Sequence, residues 1–372
     1  MDFGQLLPDL IKGFSALTWG NVVMIAIGGI LIALAIVKEY EPVLLLPIGL
    51  GCILANIGMS SESGIFKVLY DAGIATEIFP LMIFVGVGAM IDFSPLLAMP
   101  SMALLGAAGQ FGIFGTLILA TLLNFPMNEA ASIGVIGAID GPTAIFVATK
   151  LAPDLLAPIA VAAYSYMSLI PIIQPPLMRL MTSKQERCIR MDYAPREVKK
   201  SALVLFPILV ALIIGLIAPD AAPLIAMLML GNLLRTSGVV QRLNQSAQNE
   251  IVNIATLFLG LTIGSTMTAA SFLNLNTLII MVLGLIAFGL DTVAGLAFGK
   301  IMSAVSGGKV NPLIGACGIS AFPMAGRLAA QMAQEEDFEN FILMHAMGAN
   351  TAGQLGSVIA GGILLSIVSS MV

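Results

Sequence analysis

The chain has 372 residues, of which 58% are hydrophobic and only 10% are charged, and its formal net charge is −5. Because soluble domains carry about 25% charged residues, this composition excludes an ordinary water-soluble globular protein. The three cysteines, Cys52, Cys188 and Cys317, share no disulfide or metal-binding spacing. The single histidine, His345, stands alone among apolar residues, and we expect it to be a packing residue.

Apolar runs recur along the chain, and several approach or reach the roughly 20 residues that an α-helix needs to cross a bilayer. In chain order they cover residues 22–37, 43–57, 78–91, 102–123, 157–173, 203–218, 254–268, 278–290 and 341–368. The pattern predicts an all-α polytopic membrane protein that contacts a lipid bilayer and no nucleic acid. The opening MDFGQLLPDLIKG is acidic and contains a proline, unlike the basic start of a signal peptide, so we expect the first apolar run to direct insertion.

The positions of Lys and Arg predict the orientation, because cytoplasmic loops of membrane proteins carry an excess of these residues. Residues 179–200 (RLMTSKQERCIRMDYAPREVKK) hold seven of the 16 basic residues and separate two apolar halves. Counting spans outward places twelve basic residues, including Lys309, on the side of this segment, against Lys12 and Lys67 on the other. We therefore predict a cytoplasmic linker at 179–201 and both termini outside, in a bacterial or archaeal inner membrane.

The two halves resemble each other weakly but in register. LGCILANIG (50–58) matches LGNLLRTSG (230–238) at an offset of 180, and VGAMIDFSPLL (87–97) matches IGSTMTAASFL (263–273) at an offset of 176. IGAIDGPTAIFVATK (136–150) matches IGACGISAFPMAGR (314–327) at an offset of 178 with one gap. The nearly constant offset indicates an N-terminal segment at 1–19, a first transmembrane repeat at 20–178 and a second at 202–372.

Each repeat contains about five crossings and one short segment that is too broken to cross. An odd number of crossings turns the second copy upside down relative to the first. We therefore predict two inverted repeats of about five transmembrane helices, each with a broken or re-entrant hairpin. Ion-coupled transporters have this architecture, and their sites lie where the two copies meet.

Asp140 lies in the first broken segment, where a helix should not continue. Pro142 lacks a backbone N–H and Gly141 tolerates unusual dihedrals, so carbonyl oxygens should be freed beside the carboxylate. Backbone exposed at membrane depth is tolerated only in a cavity or inside protein, and the acid costs at least about 2.5–3.5 kcal/mol to insert. A cation held by Asp140, carbonyls and the Thr143 hydroxyl would explain both features. An aspartate that caps a short helix at the interface is the alternative.

The second broken segment has no acid at the matching place but carries other polar residues. Asn311-Pro312 and Pro323 predict two further helix breaks, and Ser320 lies between them. Arg327 follows on an apolar background (SAFPMAGRLAA), and its planar guanidinium suits a carboxylate, which indicates an anionic substrate. An arginine that extends to the cytoplasmic interface is the alternative.

Two further stretches carry polar residues among apolar ones. In AAYSYMSLIPIIQPP (162–176), Tyr164 and Tyr166 are two residues apart and point to different faces, so we expect at most one to face the site. Tyrosines at a membrane interface are common, which is the simpler interpretation. In MGANTAGQLGS (347–357) the small residues favour close helix packing, and Asn350 is a candidate cation ligand near Gln354.

These strings resemble the β subunits of the sodium-pumping biotin-dependent decarboxylases, which include the oxaloacetate, methylmalonyl-CoA and glutaconyl-CoA decarboxylases. The resemblance covers essentially the whole chain and is strongest in IGAIDGPTAIFVATKLAP, AAYSYMSLIPIIQPPLMRLMTSKQERCIRM, NPLIGACGISAFPMAGR and HAMGANTAGQLGSVIAGG. It implies a membrane subunit that decarboxylates carboxybiotin from a biotin carrier protein, exports Na+ and takes up a proton. It also implies a carboxyltransferase α subunit and a small γ/δ membrane subunit as partners, and we expect a homo-oligomer.

Carried over residue by residue, the resemblance implies two groups of site residues. The first would bind Na+ and consists of Asp140, Asn311, Gly315 and Asn350. The chemistry of the Asp140 segment adds Thr143 to this group. The second would act on carboxybiotin and consists of Asp140, Tyr166, Ser320 and Arg327. Within the second group, Arg327 and Ser320 would bind the carboxybiotin, and Tyr166 or Ser320 would relay the proton.

A secondary transporter, either a sodium-coupled carboxylate transporter or a sodium/proton antiporter, explains the repeat, the acid and the arginine equally well. It does not explain why such long strings match a decarboxylase subunit. A purely structural membrane scaffold leaves the broken polar segments unexplained.

Overall fold

A computed structural model describes residues 17–59, 64–191 and 197–371 of the chain. Most of the predicted N-terminal segment (1–19) and residues 192–196 of the predicted linker therefore lie outside the described residues. Within the described ranges every regular element is a helix, which confirms the predicted all-α class.

Helices before and within the linker are numbered in chain order. They are α1 (Trp19–Val37), α2 (Pro42–Asn56), α3 (Gly64–Leu69), α4 (Ile78–Met90), α5 (Ser94–Ala98), α6 (Met102–Ala108), α7 (Phe111–Leu122), α8 (Met127–Gly134), α9 (Gly141–Leu151), α10 (Leu156–Ser168), α11 (Ile170–Met181) and α12 (Lys184–Arg187). Helices after the linker are α13 (Lys200–Ile217), α14 (Ala222–Ser237), α15 (Gln241–Ser246), α16 (Val252–Thr266), α17 (Ala269–Phe272), α18 (Leu275–Val305), α19 (Met324–Glu336) and α20 (Leu343–Ser369).

Several helical stretches are long and apolar enough to cross a membrane. Among the described residues there are five, namely Trp19–Val37, Met102–Leu122, Lys200–Ile217, Leu275–Val305 and Leu343–Ser369. Two bent pairs raise the number to seven if each is one span; they are Gly64–Ile74 with Ile78–Met90, bent by 55°, and Pro153–Met167 with Ile170–Met181, bent by 63°. These spans confirm a polytopic membrane protein. Five crossings per repeat stay a prediction, because α2, with 15 residues, is shorter than the about 20 that cross directly.

Contacts between the halves follow the sequence repeat. Gly51 has no room for a Cβ because it lies against the Leu261 carbonyl, and Gly231 has none because it lies against the Val85 carbonyl. Gly51 and Gly231 are equivalent at an offset of 180, and Val85 and Leu261 at an offset of 176. Such an exchange of equivalent contacts is expected of two halves related by a two-fold axis. Their inverted orientation in a membrane stays a prediction.

The first interrupted segment breaks as predicted, but just before the Gly-Pro pair. A 3₁₀ turn, Val135–Ala138, ends at Ile139, whose φ of 53° is rare for a β-branched residue. Asp140 is then extended and caps α9, and Pro142 lies in the first turn of that helix. Proline is tolerated there because the first N–H groups of a helix have no partner within it. The break leaves the carboxylate at a helix N-terminus inside the protein.

The second interrupted segment has the same order of elements. Asn311 caps a 3₁₀ turn, Pro312–Gly318, and α19 begins after Pro323. These positions confirm both predicted breaks. The two segments meet, since the backbone N–H of Ser320 donates to the Ala138 carbonyl oxygen at 3.3 Å.

The described part of the linker is anchored on the C-terminal end of α19. Arg187 forms an ion pair with Glu336 at 2.7 Å, and Arg190 pairs with Asp337 at 2.6 Å. The hydrogen bonds from Arg187 hold the pKa of the Glu336 carboxyl below its ordinary value. The linker is therefore tied to the helix that begins with the second interrupted segment.

Candidate functional site

Both interrupted segments line one cavity of about 560 Å³. Three of the predicted site residues reach it, namely Asp140 from the first segment and Ser320 and Arg327 from the second. Tyr164 on α10 and Gln354 on α20 complete this part of the lining. The structure thus brings together a carboxylate and a guanidinium that lie almost 190 residues apart in the sequence.

Asp140 is the most completely hydrogen-bonded group in the cavity. Its Oδ2 accepts hydrogen bonds from the Thr143 hydroxyl at 2.8 Å, the Gln354 amide at 2.8 Å and the Ser357 hydroxyl at 3.2 Å. Its Oδ1 faces the Thr143 backbone N–H at 3.4 Å. The carboxylate is only 5% exposed. Burying it would be costly without these donors and the positive end of α9, which offset the loss of water.

Two of the donors come from the other half of the chain. Gln354 and Ser357 are three residues apart on α20, so they share one face of that helix. α20 packs against α9, which brings both side chains to Asp140. Sequence reasoning noted Gln354 only as a polar neighbour of Asn350 and did not single out Ser357, because a serine in a Gly/Ala-rich helix carries no local signal.

Arg327 supplies the positive charge of the cavity. It lies in the first turn of α19 and is exposed. No carboxylate in the described ranges forms an ion pair with its guanidinium, and no other basic residue is found in the described lining. The guanidinium is therefore available to an anionic ligand that enters the cavity.

Ser320 joins the second segment to its surroundings. Besides the backbone bond to Ala138, its hydroxyl donates to the Gly353 carbonyl at 3.3 Å. The residue is 4% exposed and lines the cavity. Its hydroxyl therefore lies between the helix that contacts Asp140 and the segment that leads to Arg327.

The two tyrosines do face different sides, and Tyr164 is the one in the cavity. The ring of Tyr164 covers Gly141, directly after Asp140, and leaves no room there for a Cβ. Tyr166 packs against Gly284 of α18 and donates its hydroxyl to the Met281 carbonyl. The structure therefore brings Tyr164, and not the predicted Tyr166, next to Asp140.

Asn311 is buried at the linker rather than in the cavity lining. Its amide donates to the carbonyls of Arg187 and Ile189, both at 2.9 Å, and its Oδ1 accepts from the Leu313 N–H at 3.0 Å. Asn340 donates to the same two carbonyls at 2.9 and 3.2 Å. The side chain of Asn311 thus holds the linker against the second segment.

Gly315 and Asn350 hold the backbone of the second segment. Gly315 lies directly against Gly295 of α18, so a side chain would not fit. The Asn350 amide donates to the carbonyls of Cys317 and Ile319 at 3.2 and 2.8 Å. Its Oδ1 is fully buried and has no hydrogen-bond partner among the described residues. An acceptor oxygen buried in this way suits a cation ligand.

The fold and the cavity define a class of protein: a polytopic helical membrane protein whose interrupted segments place a buried carboxylate and an exposed arginine in the lining of one cavity. Comparison with known proteins narrows that class. A family model described as the Na+-transporting oxaloacetate decarboxylase beta subunit matches residues 20–368.

Relatives with assigned names agree with this match. The chain is 52% identical to the glutaconyl-CoA decarboxylase subunit beta of Acidaminococcus fermentans and to the methylmalonyl-CoA decarboxylase subunit beta of Veillonella parvula, over 96% of this chain and 96% of each relative. It is 44% identical to the oxaloacetate decarboxylase beta chain of Haemophilus ducreyi, over 97% of this chain and 98% of the relative. The chain belongs to the family of β subunits of the Na+-transporting decarboxylases, which confirms the resemblance.

Proposed function

We propose that this chain decarboxylates carboxybiotin, presented by a biotin carrier protein, and uses the free energy released to export Na+ while a proton is taken up. The observation that carries the proposal is the shared cavity, in which Asp140 suits a cation and Arg327 suits a carboxylate. Decarboxylation can drive transport only if the two ligands influence each other, and a common space allows this. Family membership supports the same function.

Na+ is the transported substrate, and its site centres on Asp140. Hard cations prefer oxygen ligands, and the Thr143 and Ser357 hydroxyl oxygens lie 2.8 and 3.2 Å from Asp140 Oδ2. Gln354 now donates an amide N–H at 2.8 Å; rotation of that amide would turn its oxygen to the ion instead. Na+ would then have four oxygen ligands. They are Asp140 Oδ2, the Thr143 and Ser357 hydroxyl oxygens and the Gln354 amide oxygen. Asn311, whose side chain binds the linker, fits this site less well than Gln354 and Ser357.

Carboxybiotin binds through its carboxylate, which the fork of Arg327 can hold with two hydrogen bonds. The bond between the ureido nitrogen and the carboxylate breaks, carbon dioxide leaves, and the nitrogen takes up a proton. Ser320 fits the role of proton relay better than Tyr166, because Ser320 lines the cavity and the Tyr166 hydroxyl is bonded to Met281 on another face. Ser320 also links this step to the first segment through Ala138.

The chain would act within a complex in a bacterial or archaeal inner membrane, with both termini outside. The partners are a carboxyltransferase α subunit, a small γ/δ membrane subunit and the biotin carrier protein, and the chain itself would form a homo-oligomer. The carboxyltransferase chooses the acyl substrate. The named relatives indicate three candidate acids, namely glutaconyl-CoA, methylmalonyl-CoA and oxaloacetate.

Sodium uptake into vesicles tests the proposal. The complex is reconstituted with the partner subunits, and each candidate acid is added outside. We expect one acid to drive ²²Na+ uptake into the vesicles, with release of carbon dioxide and loss of protons from the vesicle interior. Uptake driven by a proton or carboxylate gradient alone, with no dependence on the biotin carrier, would instead identify a secondary transporter and overturn the proposal.

A further inference from the structure

A second buried carboxylate lies outside the described cavity lining, near the middle of the long helix α18. Asp291 is fully buried, and of the described Asp and Glu residues only Asp140 is buried as well. α18 runs for 31 residues, so Asp291 has more than three helical turns on each side. An acid at this depth is costly, and acids that persist there usually have a function.

Only one oxygen of Asp291 is used. The Gly112 backbone N–H, in the first turn of α7, donates to Oδ1. Oδ2 has no hydrogen-bond partner among the described residues, and no described Lys or Arg pairs with the carboxyl. Gly112 has no room for a Cβ because the carboxyl lies against it. The fold thus encloses the acid without supplying a counter-charge.

Helix capping explains part of this arrangement. The apolar stretch Met102–Leu122 is interrupted between α6 and α7, and the first N–H groups of α7 need acceptors from elsewhere. Asp291 Oδ1 provides one. Capping does not explain why the residue is an acid, because Asn or Ser caps as well, and it leaves Oδ2 unused.

The buried carboxyl is expected to bind a cation, and its geometry favours a proton over a metal ion. A carboxylate enclosed without a counter-charge is strongly disfavoured and takes up a cation instead. A metal ion needs several oxygen ligands, whereas the contact made by Asp291 is to an N–H donor. A proton needs only the free Oδ2. We propose that Asp291 binds a proton at Oδ2 and exchanges it during the transport cycle.

Buried hydroxyl groups nearby could pass that proton on. Thr292 follows Asp291 on α18, and Thr116 lies one turn after Gly112 on α7. Both are fully buried, and both hydroxyl oxygens have no hydrogen-bond partner in the described part of the chain. Polar groups buried in this way are rare. Asp291 Oδ2 and these two hydroxyls therefore mark a polar site between α7 and α18.

Titratable groups on the elements packed against α18 are few. They are Glu129 on α8, Tyr164 and Tyr166 on α10, Arg179 on α11, Cys317 in the second 3₁₀ turn, and Asp140 just after the first one. Tyr166 bonds to the Met281 carbonyl, Arg179 pairs with Glu335, and the Cys317 thiol faces the Ala325 carbonyl. None of these six has a hydrogen bond or ion pair with Asp291 among the described residues. Asp291 is therefore a separate group from Asp140, although its donor Gly112 packs against Gly137, three residues before Asp140.

Infrared titration of the full chain alone tests proton binding without any partner subunit. The variants are Asp291→Asn, which keeps an acceptor for Gly112 but cannot exchange a proton, and Asp291→Ala, which loses the cap. Asp154→Asn, at an exposed aspartate, is the matched control. We expect a carboxylic acid band that Asp291→Asn lacks and that Asp140→Asn and Asp154→Asn keep. If Asp291→Asn kept every carboxylic acid band of the wild type, the proposal would be overturned.

The reconstituted complex tests the exchange, which rests on the proposed pump. We expect Asp291→Asn to lower proton uptake at least about tenfold while its thermal unfolding midpoint stays that of the wild type. If the residue only caps α7, Asp291→Asn will take up protons normally and only Asp291→Ala will be destabilised. If the wild-type complex moved no Na+, the proposed function would be wrong. The infrared test of proton binding at Asp291 would still be valid, because it uses the chain alone.

Discussion

The backbone N–H of Ser320 donates to the carbonyl oxygen of Ala138 at 3.3 Å and joins the two interrupted segments. Ala138 lies two residues before Asp140, and Ser320 lies seven residues before Arg327. A shift of either segment therefore changes both ends of the cavity. Under the proposed function, this contact would couple decarboxylation at the Arg327 end to the cation at the Asp140 end.

Gln354 and Ser357 should set the affinity for Na+. We expect Gln354→Leu and Ser357→Ala each to raise the Na+ concentration for half-maximal activity about tenfold, because each removes one oxygen ligand worth roughly 1.5 kcal/mol. The maximal rate at saturating Na+ should change much less. Thr351→Val is the control on the same helix, since the Thr351 hydroxyl faces the Asp92 carbonyl and not Asp140. If the Na+ dependence were unchanged in both variants, Gln354 and Ser357 on α20 would not be Na+ ligands.

Substitution of Tyr166 should affect stability, whereas substitution of Tyr164 should affect Na+ binding. Tyr166→Phe loses the hydrogen bond to the Met281 carbonyl, so we expect a lower thermal unfolding midpoint, about 1 kcal/mol of stability, with the Na+ affinity kept. Tyr164→Ala uncovers Gly141 and should weaken Na+ binding. If Tyr166→Phe abolished decarboxylation without loss of stability, the catalytic role predicted from the resemblance would be correct.

The sequence predicted the features that depend on local chemistry. The break at Asp140, Gly141 and Pro142 follows from the backbone properties of three adjacent residues, and the structure contains it. The partners of Asn311 could not be foreseen, because they are the carbonyls of Arg187 and Ile189, more than 120 residues away. Backbone carbonyls carry no side-chain signal.

Asp291 was missed for a different reason. The apolar run predicted at 278–290 ends just before this acid, so the charge resembled the end of a span at a water interface. The helix in fact continues to Val305. Burial depends on α7 and its Gly112, which contacts the carboxyl from 179 residues earlier in the chain. A hydropathy pattern does not contain that information.

The inverted arrangement predicts that the segments are reached from opposite faces. Lys150 ends the matched region of the first segment, and Lys309 precedes the second. We expect a cysteine placed at Lys150 to react with a membrane-impermeant thiol reagent added outside, and one placed at Lys309 to react only from the cytoplasmic side. Labelling of both positions from one face would exclude inversion.

The linker contacts should depend on acidity. Arg187 lowers the pKa of Glu336, so the pairing stabilises the structure above the ordinary pKa of about 4.5 and is lost as the pH falls through the lower folded-state value. We expect the linker to resist proteolysis at pH 7 and to be cleaved at a pH well below 4.5. Arg187→Met should be cleaved at both, as a matched control. Equal protection of the variant at pH 7 would show that the ion pair does not anchor the linker.

Paired measurement of Na+ binding and carboxybiotin decarboxylation in Asp140→Asn and Arg327→Ala tests the central claim most directly. Asp140→Asn keeps the shape of the side chain and removes its charge, so both Na+ binding and decarboxylation should be lost while the protein still inserts. Arg327→Ala should lose decarboxylation of free carboxybiotin and still bind Na+. If Arg327→Ala lost Na+ binding and kept decarboxylation, or if Asp140→Asn pumped normally, the assignment of cation and carboxylate to the two ends of the cavity would be contradicted.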